Sequence, residues 1–160
     1  MRFGAGKDVK GIVMMLTIGT GIGSAVFVDG KLHPNTELGH LLIQVKENKI
    51  VKAEHYCSER VRTENELGWG KFGRRFGRYL NALEFLFNPD LFIIGGGASK
   101  NFAKFSDEFS LHTKITPATT LNQAGIIGAA VNAAQCTEAT QAADAGTEKK
   151  CCRKKAAKGD

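Results

Sequence analysis

The sequence contains no apolar run of the length that crosses a bilayer, and its opening stretch, "MRFGAGKDVKG", carries no apolar segment. The first absence excludes a transmembrane helix, which takes about 20 consecutive apolar residues. The second predicts no secretory signal. Cysteine is scarce. Cys57, Cys136, Cys151 and Cys152 show no repeated spacing, three lie in the tail and two are adjacent. That pattern is a poor start for a disulfide framework or a zinc site, and reduced thiols in a cytoplasmic protein are the simplest reading. No Lys-Ser/Thr pair follows the glycine-rich turn near residue 20, so there is no Walker loop. The same turn joins two strands rather than opening a helix, so there is no dinucleotide fingerprint.

What is present suffices for one folded domain. The chain has 160 residues, 42% of them apolar and 24% charged, enough for a real hydrophobic core. The net charge of +6 favours anionic partners, whether nucleic acid, polyphosphate, phosphorylated metabolite or acidic lipid, without choosing among them.

The pattern is that of an α/β fold. Ile12–Ile18, "IVMMLTI", reads as a buried strand; Gly19-Thr20-Gly21 turns it and Ile22–Val28 returns. Asp29-Gly30 is a two-residue hairpin signal, because glycine tolerates the positive φ such turns demand. After His33-Pro34-Asn35 and Thr36–His40 comes a short strand, "LLIQV", predicted to complete an antiparallel meander. From Trp69 to Phe87 the period changes to that of a helix. Phe72, Phe76, Tyr79, Leu80, Leu83 and Phe87 share one face, and Lys71, Arg74, Arg75 and Arg78 form a separate basic stripe. Asn88-Pro89 ends it, since the residue before proline is pushed out of the helical region. A buried strand, "DLFIIGGG", follows, then a helix expected near Asn101–Phe109, a strand at Lys114–Pro117 and a final helix, "NQAGIIGAAVNAA". Residues 1–135 form the folded part. Residues 136–160 have almost no large apolar side chain and read as a disordered basic tail.

Three motifs carry chemistry. In Gly19-Thr20-Gly21 the small residues let backbone N–H groups approach an anion, with the Thr20 hydroxyl as a further donor; the alternative is an ordinary glycine hairpin. Glu37-Leu38-Gly39-His40 sets a carboxylate and an imidazole three residues apart, a pairing that suits vicinal sugar hydroxyls; the alternative is a surface Glu and a satisfied His. Gly95-Gly96-Gly97 ends a buried strand, where α/β folds bind ligands, though a plain tight turn fits equally. The basic stripe is either a solvated helix face or, with Arg60 and Arg62 just upstream, an anion groove. Trp69, Tyr79 and the phenylalanines nearby would permit nucleic acid, but no nucleic-acid motif accompanies them.

Taken in order, "LTIGTGIGSAVFVDGKLHPNTELGH", "YLNALEFLFNPDLFIIGGGASK" and "NQAGIIGAAVNAA" resemble the C-terminal part of a ROK-family sugar kinase, closest to the polyphosphate glucokinases. The order and spacing of the three stretches carry the resemblance, which covers roughly residues 1–135. It implies one lobe of an actin-like, ribonuclease-H-like kinase. It also implies phosphoryl transfer from inorganic polyphosphate or ATP to the 6-hydroxyl of glucose, a step in carbohydrate metabolism. Gly19, Thr20 and Gly21 are then phosphate-binding, Glu37 and His40 hold glucose, Gly95, Gly96 and Gly97 lie on the donor side, and Lys71, Arg74, Arg75 and Arg78 guide the polyphosphate chain. Mg²⁺ is expected with the donor. Zinc is not, because only Cys57 lies where many ROK kinases carry a cysteine cluster. A homodimer is implied for a full-length protein, with neither nucleic acid nor membrane as partner.

Two expected motifs are missing from these residues. One is the first phosphate motif, Asp-x-Gly-Gly-Thr; the other is the Asn-Asp-x-Asp stretch bearing the general base. The expectation is therefore a truncated, inactive part of a kinase with no catalytic residue of its own, the alternative being a non-catalytic sugar- or polyphosphate-binding module.

Overall fold

The computed structural model describes residues 4–119; the final helix and the tail expected beyond them lie outside the described residues. Five strands form a mixed sheet in the order β3-β2-β1-β6-β7. The strands are β1 (Ile12–Ile18), β2 (Ile22–Val28), β3 (Lys31–His33), β6 (Leu91–Gly95) and β7 (Lys114–Pro117). The first three run antiparallel, whereas β6 lies parallel to both β1 and β7. Asp29 and Gly30 both take positive φ, 49° and 76°, which is the two-residue turn the sequence signals.

The third strand of the meander is β3, not the predicted "LLIQV". That segment forms β4 (Leu42–Lys46), which leaves the sheet and pairs with β5 (Lys49–Lys52) in a separate two-stranded ribbon. The reason is local: the Asp29-Gly30 turn folds the very next residues back on β2, closing the edge before "LLIQV" is reached. Two short helices follow, α1 (Glu54–Cys57) and α2 (Glu59–Glu64), and then α3 (Trp69–Phe87).

Alternation along β1 and β6 divides the core between the two sheet faces. Met14, Leu16, Ile18, Phe92 and Ile94 face α3; Val13, Leu91 and Ile93 face the other side. All of β6 is buried, as a parallel strand covered on both faces should be. From α3, Phe72, Phe76, Tyr79, Leu80 and Leu83 are fully buried; each Phe and Leu contributes about 1.5–3 kcal/mol of transfer free energy, while the Tyr79 hydroxyl is buried without a hydrogen-bond partner among the described residues. The helix ends at Asn88 in the left-handed conformation, with its N–H donating to the Glu84 carbonyl.

The helix expected near Asn101–Phe109 is instead two 3₁₀ stretches, Gly97–Lys104, kinked at Asn101, and Ser106–Glu108. Phe102, within the first stretch, meets Phe105, which caps it, edge to face at 5.5 Å between centroids. Phe105, fully buried, then meets Trp69, Phe72 and Phe76 at 5.2–6.0 Å, and aromatic pairs add about 0.5–1.5 kcal/mol each beyond their area. No helix among the described residues is long and apolar enough to cross a membrane.

Candidate functional site

Parallel pairing of β1 with β6, Thr17 opposite Gly95, brings both strands to an end at one edge of the sheet. Two glycine turns far apart in sequence therefore meet. Together Gly19, Thr20, Gly21 and Gly96 line a cleft of about 380 Å³, joined by Thr17 and by Glu54 from α1. Of the glycine triplet only Gly96 lines it; Gly95 is buried as the last residue of β6. Gly96 sits at φ 80°, and a Cβ there would lie 2.5 Å from the Ile18 carbonyl oxygen. No other residue type meets both demands without strain.

The Gly19–Gly21 turn is anchored from within and from behind. The N–H of Gly19 donates to the Gly21 carbonyl at 3.0 Å, and the Gly19 carbonyl accepts from the amides of Glu59 and Arg60 at the start of α2. Ser58 caps that helix by accepting from the Val61 amide. Among the described residues the Gly19 N–H is thus already engaged within the turn. The amides of Thr20 and Gly21 make no hydrogen bond among the described residues, and Thr20 is exposed.

Glu37-Leu38-Gly39-His40 is held against β2 at two points. Ser24 Oγ donates to the Thr36 carbonyl at 2.9 Å and accepts the Leu38 amide at 3.0 Å. Gly39 is pressed on Ile22, where a Cβ would come within 2.2 Å of its carbonyl oxygen. Close approach, not a tight bend, is what this glycine serves. His40 closes a 3₁₀ turn and its partner is not Glu37 but Glu54: His40 Nε2 lies 3.3 Å from Glu54 Oε1, and His55 Nε2 lies 3.6 Å from the same oxygen. The other oxygen of Glu54 faces Gly21. Glu37 is exposed, does not line the cleft, and its carboxylate has no partner among the described residues.

Glu54 is the site residue that sequence reasoning missed. No motif marks it, since its position depends on the Ala53 amide bonding to the Leu41 carbonyl at 2.9 Å, which starts α1 beneath His40. The cleft thus has two sides of different chemistry. Backbone amides and a hydroxyl face it from the Thr20–Gly21 turn, and the Glu54 carboxylate, which His40 and His55 approach from outside the lining, faces it from α1. The first suits an anion; the second suits hydroxyls.

Cys57 is neither a nucleophile nor a metal ligand here. Burial pushes its thiol well above the ordinary range, only partly offset by the Arg75 charge, and its Sγ donates to the Ala53 carbonyl. The basic stripe splits by partner. Arg74 pairs with Glu108 at 2.7 Å. Arg75 donates to the Tyr56 carbonyl and lies 4.9 Å from that ring's centroid. Arg78 donates to the Val45 carbonyl. Arg62 ion-pairs with Glu59 and lies 4.2 Å from the Trp69 ring centroid, linking α2 to α3 rather than extending the stripe. The hydrogen bonds from Arg62 to Glu59 raise its pKa further.

No family model matches the chain. Over 130 residues it is 44% identical to the polyphosphate glucokinase of Mycobacterium tuberculosis, covering 81% of this chain and 47% of that protein. It is 41% identical over 130 residues to the polyphosphate glucokinase of Mycobacterium leprae, covering 39% of it. Among solved structures, the inorganic polyphosphate/ATP-glucomannokinase of Arthrobacter sp. strain KM matches with a TM-score of 0.77 and 46% identity, over 82% of this chain and 50% of that one. A ROK family glucokinase from Streptomyces griseus, solved with glucose and AMPPNP, matches with a TM-score of 0.67 at 23% identity, over 84% and 64% of the two chains, and so speaks to the fold alone. The chain spans about half the length, or less, of the curated relatives it matches. The resemblance carried by the three sequence stretches is the one these comparisons find, and the fold is that of the actin-like ROK sugar kinases.

Proposed function

We propose that this chain forms the C-terminal lobe of a kinase that moves a phosphoryl group from inorganic polyphosphate or ATP to the 6-hydroxyl of glucose. The carrying observation is the cleft where the Gly19–Gly21 turn, Gly96 and Glu54 converge at the carboxyl ends of β1 and β6, with His40 3.3 Å from Glu54 beyond its lining. Its identity with the mycobacterial glucokinases and the Arthrobacter glucomannokinase supports the choice of substrates.

In this reading Thr20 and the amides of Thr20 and Gly21 hold a donor phosphate. His40 and Glu54 grip sugar hydroxyls, with Glu37 at the rim, free to reach a sugar bound there. Glu54 orients His40, because an imidazole whose one nitrogen faces a carboxylate presents a defined tautomer at the other. Phosphoryl transfer is mostly positioning and charge stabilisation, with a divalent ion neutralising the phosphates. Among the described residues no cluster of three or more His, Cys, Asp or Glu could hold a metal by itself; in this reading a divalent ion would come with the donor phosphates.

No residue described here is placed to take the proton of the 6-hydroxyl. Glu54, which lines the cleft, and Glu37, from the Glu-x-Gly-His motif, are each assigned to the sugar. A positioned base contributes about 10²–10⁴-fold, or roughly 3–5 kcal/mol of barrier. The 160-residue chain assayed alone is therefore expected to bind glucose weakly and to turn over very slowly. The test is glucose-6-phosphate formation from glucose, Mg²⁺ and either donor, alongside glucose binding followed by NMR. Binding lost in Glu54→Gln supports the assignment. Turnover near one per second abolished by Glu37→Gln overturns the placement of the base, and glucose binding indifferent to Glu54→Gln and His40→Ala overturns the sugar site.

A further inference from the structure

A second cavity of about 550 Å³ lies between the β4–β5 ribbon and α3, with Lys46 and Lys49 on the ribbon side and Arg75 on the helix side. The short helix α1 borders both hollows. Glu54 lines the cleft, and the next two residues, His55 and Tyr56, line the cavity. One turn of four residues is too short to hold itself by its own hydrogen bonds, so the direction of Glu54 depends on what grips its neighbours. In a continuous helix the Arg60 amide would donate to the Tyr56 carbonyl. Ser58, extended at φ −77° and ψ 162°, breaks the helix there, and the Arg60 amide turns to the Gly19 carbonyl instead. That break serves the glycine turn and leaves the carbonyl of the half-buried Tyr56 to be satisfied from elsewhere. Arg75 does so. Its Nη1 donates to that carbonyl at 3.2 Å, and its guanidinium lies 4.9 Å from the centroid of the Tyr56 ring. A single side chain of α3 thus holds one residue of α1 at two points, two positions after Glu54.

We propose that Arg75 is a positioning residue for Glu54: its two-point grip on Tyr56 fixes α1, and with it the carboxylate that His40 and His55 approach. The consequence for sugar binding rests on the function proposed above; the grip rests on geometry alone. Arg75 differs in this from its neighbour Arg74, whose partner is Glu108 and which touches nothing on α1. The planar guanidinium can offer an N–H to the carbonyl and a face to the ring at once. Lysine, with one compact ammonium, keeps the charge but not that geometry.

The experiment titrates glucose into the 160-residue chain by NMR and follows the His40 and His55 imidazole resonances in the same samples. Those signals report on Glu54, whose Oε1 lies 3.3 and 3.6 Å from the two rings. Arg75→Ala is expected to weaken glucose binding about fivefold, the scale for a residue coupled to a site through its neighbours, and to move both imidazole signals in the direction that Glu54→Gln moves them. Tyr56→Ala should reproduce part of that loss and add little in the Arg75→Ala background, whereas Tyr56→Phe, which keeps the ring, should match the parent. In a Glu54→Gln background Arg75→Ala should cost little further, because it acts through Glu54. Lys49→Ala removes a charge from the same cavity at an exposed position and should leave glucose affinity and both signals unchanged. Arg75→Lys should fall between the parent and Arg75→Ala, and it carries the test if Arg75→Ala does not fold; equality with the parent would make charge the operative feature and overturn the grip. Parent values of affinity and imidazole signals in Arg75→Ala overturn the proposal, as do fully additive losses for Arg75→Ala and Glu54→Gln. Imidazole signals that move in Arg75→Ala while the parent binds no glucose uphold the grip and count against the kinase reading.

Discussion

The two concavities of this molecule are made of opposite materials. The cleft at the ends of β1 and β6 is largely backbone: glycine turns whose place is set by strand register, with no room for a Cβ at Gly96 and the Glu54 carboxylate on one side. The cavity beside α3 is side chain: cations on a ribbon and a helix that would fold much the same without them. A glycine turn is therefore broken by adding one atom, through stability where that atom meets a carbonyl and through binding where it meets open space. A side-chain site is broken by removing charge, and mostly through affinity.

The largest expected effect tests the first half of that contrast. Gly96→Ala adds left-handed strain of about 1–2 kcal/mol to overpacking of about 1–3 kcal/mol, so a loss of about 2–5 kcal/mol is expected in urea unfolding. Gly39→Ala, clashing with the Ile22 carbonyl at ordinary φ, should lose about 1–3 kcal/mol. Gly19 is the informative control. A Cβ there meets nothing within 4 Å, so Gly19→Ala should unfold within about 0.5 kcal/mol of the parent while weakening phosphate binding in the cleft. A large loss of stability in Gly19→Ala would break the comparison.

Next in size is the sugar side. A hydrogen bond to a charged group is worth about 1.5–3 kcal/mol, so Glu54→Gln should weaken glucose binding about 10–100-fold by NMR titration. Glu37→Gln should cost less, since Glu37 does not line the cleft.

Acid stability gives a smaller effect away from both sites. Burial pushes the Glu84 carboxyl up, but the hydrogen bonds from Thr113 and the charge of His112 outweigh it and leave the group below its ordinary range. Its folded pKa is thus lower than its unfolded one, so its contribution is fully present above the unfolded value of about 4.3. It is lost as pH falls through the folded value. Glu84→Gln should flatten the acid limb of a stability-against-pH curve below about pH 4.5 and leave the neutral region nearly parallel to the parent.

Smallest is Arg74→Ala. Its side chain is 64% exposed and already paired with Glu108, so both stability and polyphosphate affinity should change little, by under about 1 kcal/mol. If Arg74→Ala weakens polyphosphate binding as much as Lys71→Ala does, the pairing with Glu108 does not shield it.

Much of the fold was legible because its signals are local. The strands Ile12–Ile18, Ile22–Val28 and Lys114–Pro117 and the helix Trp69–Phe87 begin and end in the structure where alternation, helical period, Asp29-Gly30 and Asn88-Pro89 place them. The two 3₁₀ stretches after Gly96 were not legible, because Phe102 and Phe105 satisfy a helical spacing as well as a 3₁₀ one. Their path follows from what Phe105 packs against. Of the candidate site, the Gly-Thr-Gly turn and His40 could be named from motif alone, whereas Glu54 could not.

By itself, then, the sequence determined the long strands of the main sheet, the extent of α3 and which of its faces is buried, the Asp29-Gly30 and Asn88-Pro89 turns, and which short motifs hold glycine, carboxylate and imidazole. These depend on neighbours within a few residues, and the period of a side-chain pattern carries them. Tertiary structure alone decided which of those motifs share a site. The parallel pairing of β1 with β6 joins residues 19–21 to residue 96; the departure of β4 into its own ribbon sets Lys46 and Lys49 across from α3; and the Ala53–Leu41 bond puts Glu54 under His40. Each of these contacts joins an element to a partner outside its own segment, and no local pattern specifies a partner. The choice is made by which pairing buries the shared core and satisfies the backbone at once.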